Sequence, residues 1–425
     1  FIQNTFYEAL VRSLGEISKM KFSSAAVAVL PEACDNPKMA GRLVTEAFYL
    51  SQYRFDKYKS AQAKKHDQHL EKLVVYEPQL TKNDLQAFSE GLAYGAVVSE
   101  GVMLTRDLVN EPAIYVTPEK LAEKAKQIAV QSKGAVSIKI LGKGECERLG
   151  MGAYLSVAKG SDLEPQFIVL HYNGYKKKKK MCIIGKSITF DSGGLSLKPS
   201  KHMETMKLDM AGGAAILGVF HVLSKTHPPI GEVYDILPAC ENMPSGKASR
   251  PGDIVSALNK KTIEILNTDA EGRLALADAL SYAEKYIKPN YMINLATLTG
   301  AIMVALGPDI AGIFGNNDAL AEEFFKKAQE ECEEAWIMPM HEGYRPKMKS
   351  SVADLKNVTG MGYGGAITAA LFLSEFVEKT PWLHIDIAGS SYNEGESTPT
   401  RPKGGTGWGV RTVLSWLLSH DKKNL

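Results

Sequence analysis

Several classes of protein are excluded by what this chain lacks. Its five cysteines (Cys34, Cys146, Cys182, Cys240, Cys332) are odd in number and scattered, with no CxxC pair. That argues against a disulfide framework and fits reduced thiols in a cytosol-like compartment. With 50 basic against 48 acidic residues, the net charge is only +2. A chain so nearly neutral lacks the electrostatic footprint of a nucleic-acid or membrane binder. No apolar run approaches the roughly 20 residues of a membrane span. There is no GxSxG elbow for a serine hydrolase. Neither HExxH nor HxxEH occurs, and the nine histidines are scattered, which excludes a helix-borne zinc peptidase motif. Gly185-Lys186-Ser187 superficially resembles the end of a phosphate-binding loop. The earlier glycine of that motif falls on Lys180, and apolar "MCII" stands where the loop should be, so the nucleotide reading is weak. The chain opens "FIQNTFYEAL", with no initiator Met and no signal-peptide layout, which points to a trimmed or processed start.

What is present is the composition of a globular protein, 44% hydrophobic and 23% charged over 425 residues. That length accommodates two domains. The first hundred residues mix the strand-like runs "AAVAVLP" and "KLVVYEP" with polar, helix-prone segments. Residues 82–104 carry apolar residues at helical spacing and predict one long helix. The prolines and Thr-Pro-Glu start of "TRDLVNEPAIYVTPEKL" mark a domain start. Beyond it strands alternate with helices: "VSIKIL", "QFIVLHY", "MCIIG", the helix "AGGAAILGVFHVLSK", "EVYDIL", "YMINLA" and "WLHIDIAG". This alternation predicts an α/β catalytic domain with a mixed, largely parallel sheet flanked by helices. Residues 106–425 would form it. A smaller α/β domain, 1–105, would precede it, apparently shortened and ending in a linker helix. The lysine run 176–180 is expected to be a solvated turn between two strands; a phosphate-binding patch would want aromatics or further basic clusters nearby, and the sequence places none there.

The chemistry-bearing residues are distributed. "GKSITFDSGGLSLKPS" supplies Lys186, Asp191 and Lys198; "METMKLDMAGG" supplies Asp209; "ILNTDAEGRLALADAL" supplies Asp269, Glu271 and Arg273. They fall at strand ends and helix starts, where open α/β sheets build their sites. Each acid alone has a dull explanation, Asp209 as a helix N-cap and Asp191 as a turn residue. Asp253 and Asp278 read as structural. Together, four carboxylates in one cleft would repel, at about 4 kcal/mol per pair 4 Å apart in an effective dielectric of 20. They would either protonate or bind cations. Four negative charges balance two divalent ions, and hard oxygen ligands admit Mn²⁺, Mg²⁺ or Zn²⁺.

These same segments resemble the leucine aminopeptidase family (cytosol aminopeptidases, the M17 metallopeptidases). "NTDAEGRL" resembles its signature octapeptide. "ITFDSGGLSLKPS", "METMKLDMAGGAA", "CENMPSGKASRPGDI", "LADALSYAE", "LATLTGA" and "HIDIAG" resemble family segments in the expected order. The resemblance runs from about Arg106 to the end, and "YRFDKYKS" with the long helix resembles the family's linker region.

The resemblance implies roles that the residues alone do not. Asp191 and Glu271 would bridge two metal ions, most often Mn²⁺ or Zn²⁺, with Mg²⁺ or Co²⁺ admissible. Asp269 would complete one site; Asp209 and a neutral Lys186 amine would complete the other. Lys198 would stabilise the oxyanion, and Arg273 would hold a bicarbonate that acts as general base. Met203, Met206, Thr297 and Leu298 would line the pocket for the amino-terminal side chain, although Met203 also reads as core filler. The implied activity is release of leucine and other apolar amino-terminal residues from peptides through a metal-bridged water. The implied setting is a cytoplasmic homohexamer with no membrane or nucleic-acid partner. Two other readings remain, a binding or regulatory protein on the same fold and another two-metal hydrolase such as a phosphoesterase. One position departs from the family: Ser187 follows the ligand lysine where glycine is usual. If that position needs a positive φ or a close backbone approach, serine would strain it and shift Lys186.

Overall fold

The computed structural model describes residues 2–20, 22–29, 36–64, 70–76, 81–175 and 179–420. Cys34 and lysines 176–178 lie outside the described residues. In the amino-terminal region the helices Ile2–Lys19 and Pro37–Leu50 pack with a parallel pair, β1 (Ser24–Ala28) and β2 (Lys72–Tyr76). The second helix has Pro37 in its first turn, where the missing N–H costs nothing, and Asn36 caps it by accepting from the Lys38 and Met39 amides. The long helix is Lys82–Asn110, six residues beyond the expected end and unbroken through residue 105. Tertiary partners carry it on: Thr105 donates to the carbonyls of Gly101 and Ala214, and Arg106 to those of Leu50 and Thr406.

This region is joined to the rest of the chain by buried charge. Arg42 pairs with Glu46 on its own helix and, in a two-pronged contact at 3.0 and 2.5 Å, with Glu331. Burial alone would lower the Arg42 pKa; Glu331 and Glu46 outweigh it and hold the guanidinium well above its ordinary value.

The remaining strands among the described residues are β3 (Val136–Leu141), β4 (Gln166–Tyr172), β5 (Met181–Gly185), β6 (Ser187–Asp191), β7 (Val233–Asn242), β8 (Ile254–Ser256), β9 (Thr262–Glu264), β10 (Tyr291–Ala296), β11 (Ala311–Gly315), β12 (Ala335–Ile337), β13 (Leu355–Lys356), β14 (Trp382–Asp386), β15 (Tyr392–Asn393) and β16 (Gly404–Gly405). Nine of them form one sheet in the order β12-β11-β14-β10-β5-β7-β4-β3, with β6 added alongside β7. The centre (β7, β5, β10, β14) is parallel, while β3, β4 and β11 pair antiparallel. The mixed, largely parallel sheet expected from the alternation is therefore present. One face packs against helices 82–110, 118–131, 211–226, 318–330 and 410–420, the other against 152–158, 272–282 and 365–374. Because both faces are covered, β5 is buried at all five positions, which is why "MCIIG" shows no alternation.

β5, β10 and β14 end nearly level, at Gly185, Ala296 and Asp386, while β7 runs on alongside β6 until Asn242 stands beside Asp191. This is the edge where a parallel sheet leaves its carboxyl ends open to a ligand.

Two surface and core expectations change. The continuous helical stretch Ser200–Thr226 is apolar enough to cross a membrane by length and composition, but 83% of its apolar window is buried inside the fold. Lys201, Lys207 and Asp209 break that run in the sequence. The basic run does have aromatic neighbours: Lys179 donates to the Tyr291 hydroxyl, and Lys180 lies over the ring of Tyr234, which stacks on His171. Strands distant in sequence bring those rings there, so local inspection does not find them.

Asp235, on the central strand β7, is fully buried and neither carboxylate oxygen has a hydrogen-bond partner among the described residues. Burial pushes its pKa well above the usual carboxylate range. Between the unfolded value, about 3.9, and that raised value, the folded chain holds one more proton than the unfolded chain. Stability therefore falls as pH rises through this window, by up to about 1.4 kcal/mol per pH unit. Asp235→Asn should flatten that dependence in urea-unfolding midpoints measured from pH 4 to 8. Parallel curves for the two proteins would contradict this account of Asp235.

Candidate metal centre

The site is built at the open edge of the sheet from three loops. Lys186 is the single residue between β5 and β6, its backbone held by Leu295 O and Gly213 N. Its side chain, 3% exposed, donates to Asp209 Oδ1 at 2.7 Å and to Thr297 O at 2.8 Å, and pairs with Glu271 Oε1 at 2.9 Å. Asp191 ends β6 and is followed by the turn Ser192-Gly193-Gly194, in which both glycines have positive φ. Gly193 N and Asn242 Nδ2 donate to Asp191 Oδ1, leaving Oδ2 to pair with Lys198 Nζ at 2.9 Å. Lys198 also pairs with Asp269.

Asp209 is not a helix N-cap. It lies in the 3₁₀ turn Met206–Met210, and Met210 precedes the helix without a side-chain cap. Asp209 Oδ1 accepts from Lys186 and from Thr297 Oγ1; Oδ2 is buried with no hydrogen-bond partner among the described residues. Carboxylate oxygens of Asp191, Asp209 and Glu271 all lie within 4.8 Å of one another.

The segment "NTDAEGRL" follows β9 as a turn leading into the fully buried helix Gly272–Tyr282. Asn267 Oδ1 accepts from Asp269 N. Thr268 laces the turn to the 192–199 loop, donating to Gly193 O and accepting from Ser196 N. Gly272 has a steric role: a Cβ there would stand 2.4 Å from Lys186 Cε and 2.6 Å from Nζ. Only glycine lets the lysine pass the helix start.

The condition under which Ser187 would be strained is not met. Among the described residues its φ is not positive, and it pairs in register with Ala239 on β7. Its hydroxyl donates to Gly185 O at 2.9 Å, in space left open by Gly213, where a Cβ would lie 2.1 Å from Ser187 Oγ.

Electrostatics separate the two lysines from the acids. Burial raises the pKa of Asp209 well above the ordinary value; Glu271 and Asp191 add to it and Lys186 opposes it. Asp191 is raised by burial and by Glu271, and Asp269 by burial and by Asp191. For Lys186, burial would lower the pKa, but Asp209, Glu271 and Asp191 outweigh it and raise it. Lys198 follows the same balance, with Asp191 and Glu271 opposing burial. Two ammonium groups do not balance four carboxylates, and this donor set of hard oxygens fits added divalent cations.

Arg273 is buried beside the cluster. Nη1 donates to Asn357 O at 2.8 Å, while Nε has no hydrogen-bond partner among the described residues. Burial lowers its pKa to about 10, against the pull of Glu271 and Asp386, so it stays charged at neutral pH. It lines a cavity of about 540 Å³ with Ala301, Val304, Met338, Tyr363 and Ile367. Met203 and Met206 are half-buried on the segment preceding Asp209, Thr297 is buried against Asp209, and Leu298 is half-buried after it. None of the four is among the residues lining the cavity at Arg273.

Sequence reasoning missed three supporting residues. Asn242 holds Asp191 and Thr268 O. Asn357 braces the "NTDAEGRL" turn, accepting from Leu266 N and donating to Asn267 O. Asp386 accepts from Leu298 N and Thr299 Oγ1. Asn242 and Asp386 sit inside the motifs "CENMPSGKASRPGDI" and "HIDIAG", so their polarity in strand-like runs was the available signal. The two acids set aside as structural do serve structure: Asp253 closes a turn by accepting from Arg250 N, and Asp278 accepts from Tyr154 N and Leu258 N.

Comparison with known proteins bears on this arrangement. The model of the cytosol aminopeptidase family, catalytic domain, matches residues 103–414. A probable cytosol aminopeptidase of Gloeobacter violaceus is 51% identical over 350 residues, 81% of this chain and 68% of that protein. One from Persephonella marina is 43% identical over 422 residues, 97% of this chain and 82% of the relative. Among solved structures, the bottromycin maturation enzyme BotP in complex with Mn superposes with a TM-score of 0.88 at 32% identity, covering 99% of this chain and 88% of that one.

Gly272→Ala should leave the fold intact and push Lys186 off Asp209 and Thr297. Mn²⁺ affinity, read by calorimetry, should fall by roughly 10- to 100-fold, as for other disrupted supports of a metal ligand. Unchanged affinity would show that Lys186 is not held by this gap.

Proposed function

The chain belongs to the cytosol aminopeptidase family and is a metalloexopeptidase of the leucyl-aminopeptidase type; from that premise we propose a two-metal hydrolase that removes leucine and other apolar residues from peptide amino termini. The observation that carries this reading is the buried Asp191, Asp209 and Glu271 cluster with Lys186 set among its oxygens. Asp191 and Glu271 would be shared between two cations, Asp269 would complete one site, and Asp209 with Lys186 the other. The unpartnered Asp209 Oδ2 supports that assignment. Bound divalent cations of this kind, Mn²⁺ or Zn²⁺ first and Mg²⁺ or Co²⁺ as alternatives, supply an activated water and polarise the scissile carbonyl.

The chain's own residues divide the rest of the work. Lys198 is 13% exposed against 3% for Lys186, so it faces the cleft while Lys186 is enclosed. Its carboxylate neighbours hold it protonated, and a fixed cation there stabilises the oxyanion that develops during attack. Lys186 can act as a ligand only as the free amine, so it must give up the proton that Asp209 and Glu271 now favour. Thr297 orients both partners, accepting from the amine and donating to the acid. Arg273, with Nε unpartnered, offers a planar clamp for a bicarbonate-sized anion that serves as proton acceptor.

Met203, Met206, Thr297 and Leu298 would receive the amino-terminal side chain. The apolar cavity at Arg273 would receive a side chain from the departing portion of the peptide. The same reading makes residues 106–425 the catalytic domain and 1–105 a smaller amino-terminal one, in a cytoplasmic homohexamer.

Protein stripped of metal should release no leucine from leucyl amide and should recover on reloading with Mn²⁺, Zn²⁺ or Co²⁺, with a phosphate ester untouched throughout. Failure of every metal to restore leucine release would sink the reading. Lys198→Ala should lower kcat by about 10²- to 10³-fold while the metals stay bound; retained turnover would remove its oxyanion role.

A further inference from the structure

Asp386 is a buried acid that the peptidase reading does not use. It ends β14, is fully buried, and lies in register with Ala296 at the end of β10. Its Oδ2 accepts from Thr299 Oγ1 at 2.7 Å; its Oδ1 accepts from Leu298 N at 3.2 Å and from Ala388 N at 3.3 Å. One carboxylate thus grips the turn 297–299 by its backbone and by a side chain.

The two ends of that turn lead to different parts of the site. Upstream, Thr297 accepts from Lys186 Nζ and donates to Asp209 Oδ1. Downstream, Thr299 caps the helix Gly300–Leu306 by accepting from Ile302 N. That helix presents Ala301, Val304 and Ala305 to the cavity at Arg273. The charged neighbour facing Asp386 is Arg273, on the helix Gly272–Tyr282. His384, two residues back on the same strand, is bonded through Nδ1 to Asn294 and held neutral by burial, with its pKa lowered to about 3. The paired strand positions Ala296 and Gly312 bring no charge.

We propose that Asp386 is a positioning residue for the peptidase reaction: by gripping the 297–299 turn it fixes Thr297 against Lys186 and Asp209 and sets the helix that lines the cavity at Arg273. This rests on the two-metal reading above. Asn at 386 would keep one oxygen for the backbone donors but lose the acceptor for Thr299 and the charge that faces Arg273. Burial pushes the Asp386 carboxyl up to about 6, with the hydrogen bonds from Thr299, Leu298 and Ala388 holding it lower than burial alone would. Protonation therefore turns the wild-type side chain into a near-equivalent of Asn at acid pH.

The test compares Mn²⁺-loaded wild type and Asp386→Asn on leucyl amide from pH 5 to 8, with Co²⁺-loaded samples for visible absorption. At pH 8 the variant's kcat should fall by about tenfold or more, with KM changed much less. The wild-type to variant kcat ratio should shrink through a single titration near pH 6, because the other carboxylates titrate in both proteins and cancel. The Co²⁺ band should shift in the variant, since Lys186 and Asp209 lose their fixed partner. A ratio that is flat with pH, or an unchanged kcat and Co²⁺ band, would overturn the proposal, whatever happens to thermal stability. Should Asp386→Asn not fold, Thr299→Val and Thr299→Ser serve instead. The serine, which keeps the hydroxyl, should retain clearly more kcat than the valine, and equal losses would overturn the proposal. Wild type inert toward leucyl amide with every metal would overturn the peptidase reading and this inference with it, whereas an active wild type matched by its variants overturns only the role of Asp386.

Discussion

Everything at the open edge of the sheet depends on how four carboxylates are kept together out of water. Asp191, Asp209, Asp269 and Glu271 converge on Lys186 and Lys198, and burial of so much like charge is tolerable only with cations among the oxygens. The lysines supply part of that charge directly. They differ in what surrounds them: Lys186 is enclosed by two acids and a carbonyl, Lys198 borders the cleft. On the proposed reading Lys186 would give up its proton to ligate a metal, and Lys198 would remain a cation.

Holding that cluster in register falls to neutral groups. Asn242, Asn357 and Thr268 tie three loops to one another through backbone atoms, so that Asp191 and Asp269 approach the same lysine. The glycines act by absence of a side chain. Gly272 leaves the channel through which Lys186 reaches Glu271, and Gly213 leaves the space that Ser187 fills. The serine that departs from the family pattern is thus accommodated by a gap on the facing helix and a hydrogen bond to Gly185, at no cost in backbone strain.

The sheet was legible where hydrophobic runs are continuous. β4, β5 and β10 coincide with the apolar segments "QFIVLHY", "MCIIG" and "YMINLA", because strands buried on both faces need no alternation to be recognised; the edge strand β3 coincides with "VSIKIL", which alternates polar and apolar residues. β6, β11 and β12 were missed: "SITFD" mixes polar with apolar residues, "AGIFG" carries two glycines, and "AWI" is only three residues long. The charged members of the site were legible because acids and lysines beside glycine turns demand an explanation. The hydrogen-bonding supports were not, since nothing in a linear sequence says that Asn357 lies against residue 267 or Asp386 against Thr299. Aromatic neighbours of Lys179 and Lys180 escaped notice for the same reason, being contributed by other strands.

The central claim is that this acidic cluster takes two divalent cations and that Lys186 loses its proton when it does. Calorimetric titration of metal-stripped protein with Mn²⁺ near neutral pH, run in two buffers of different ionisation enthalpy, measures both quantities at once. The account predicts two ions per chain and release of at least about one proton as they bind. Binding of fewer than two ions, or binding with no proton released, would contradict it.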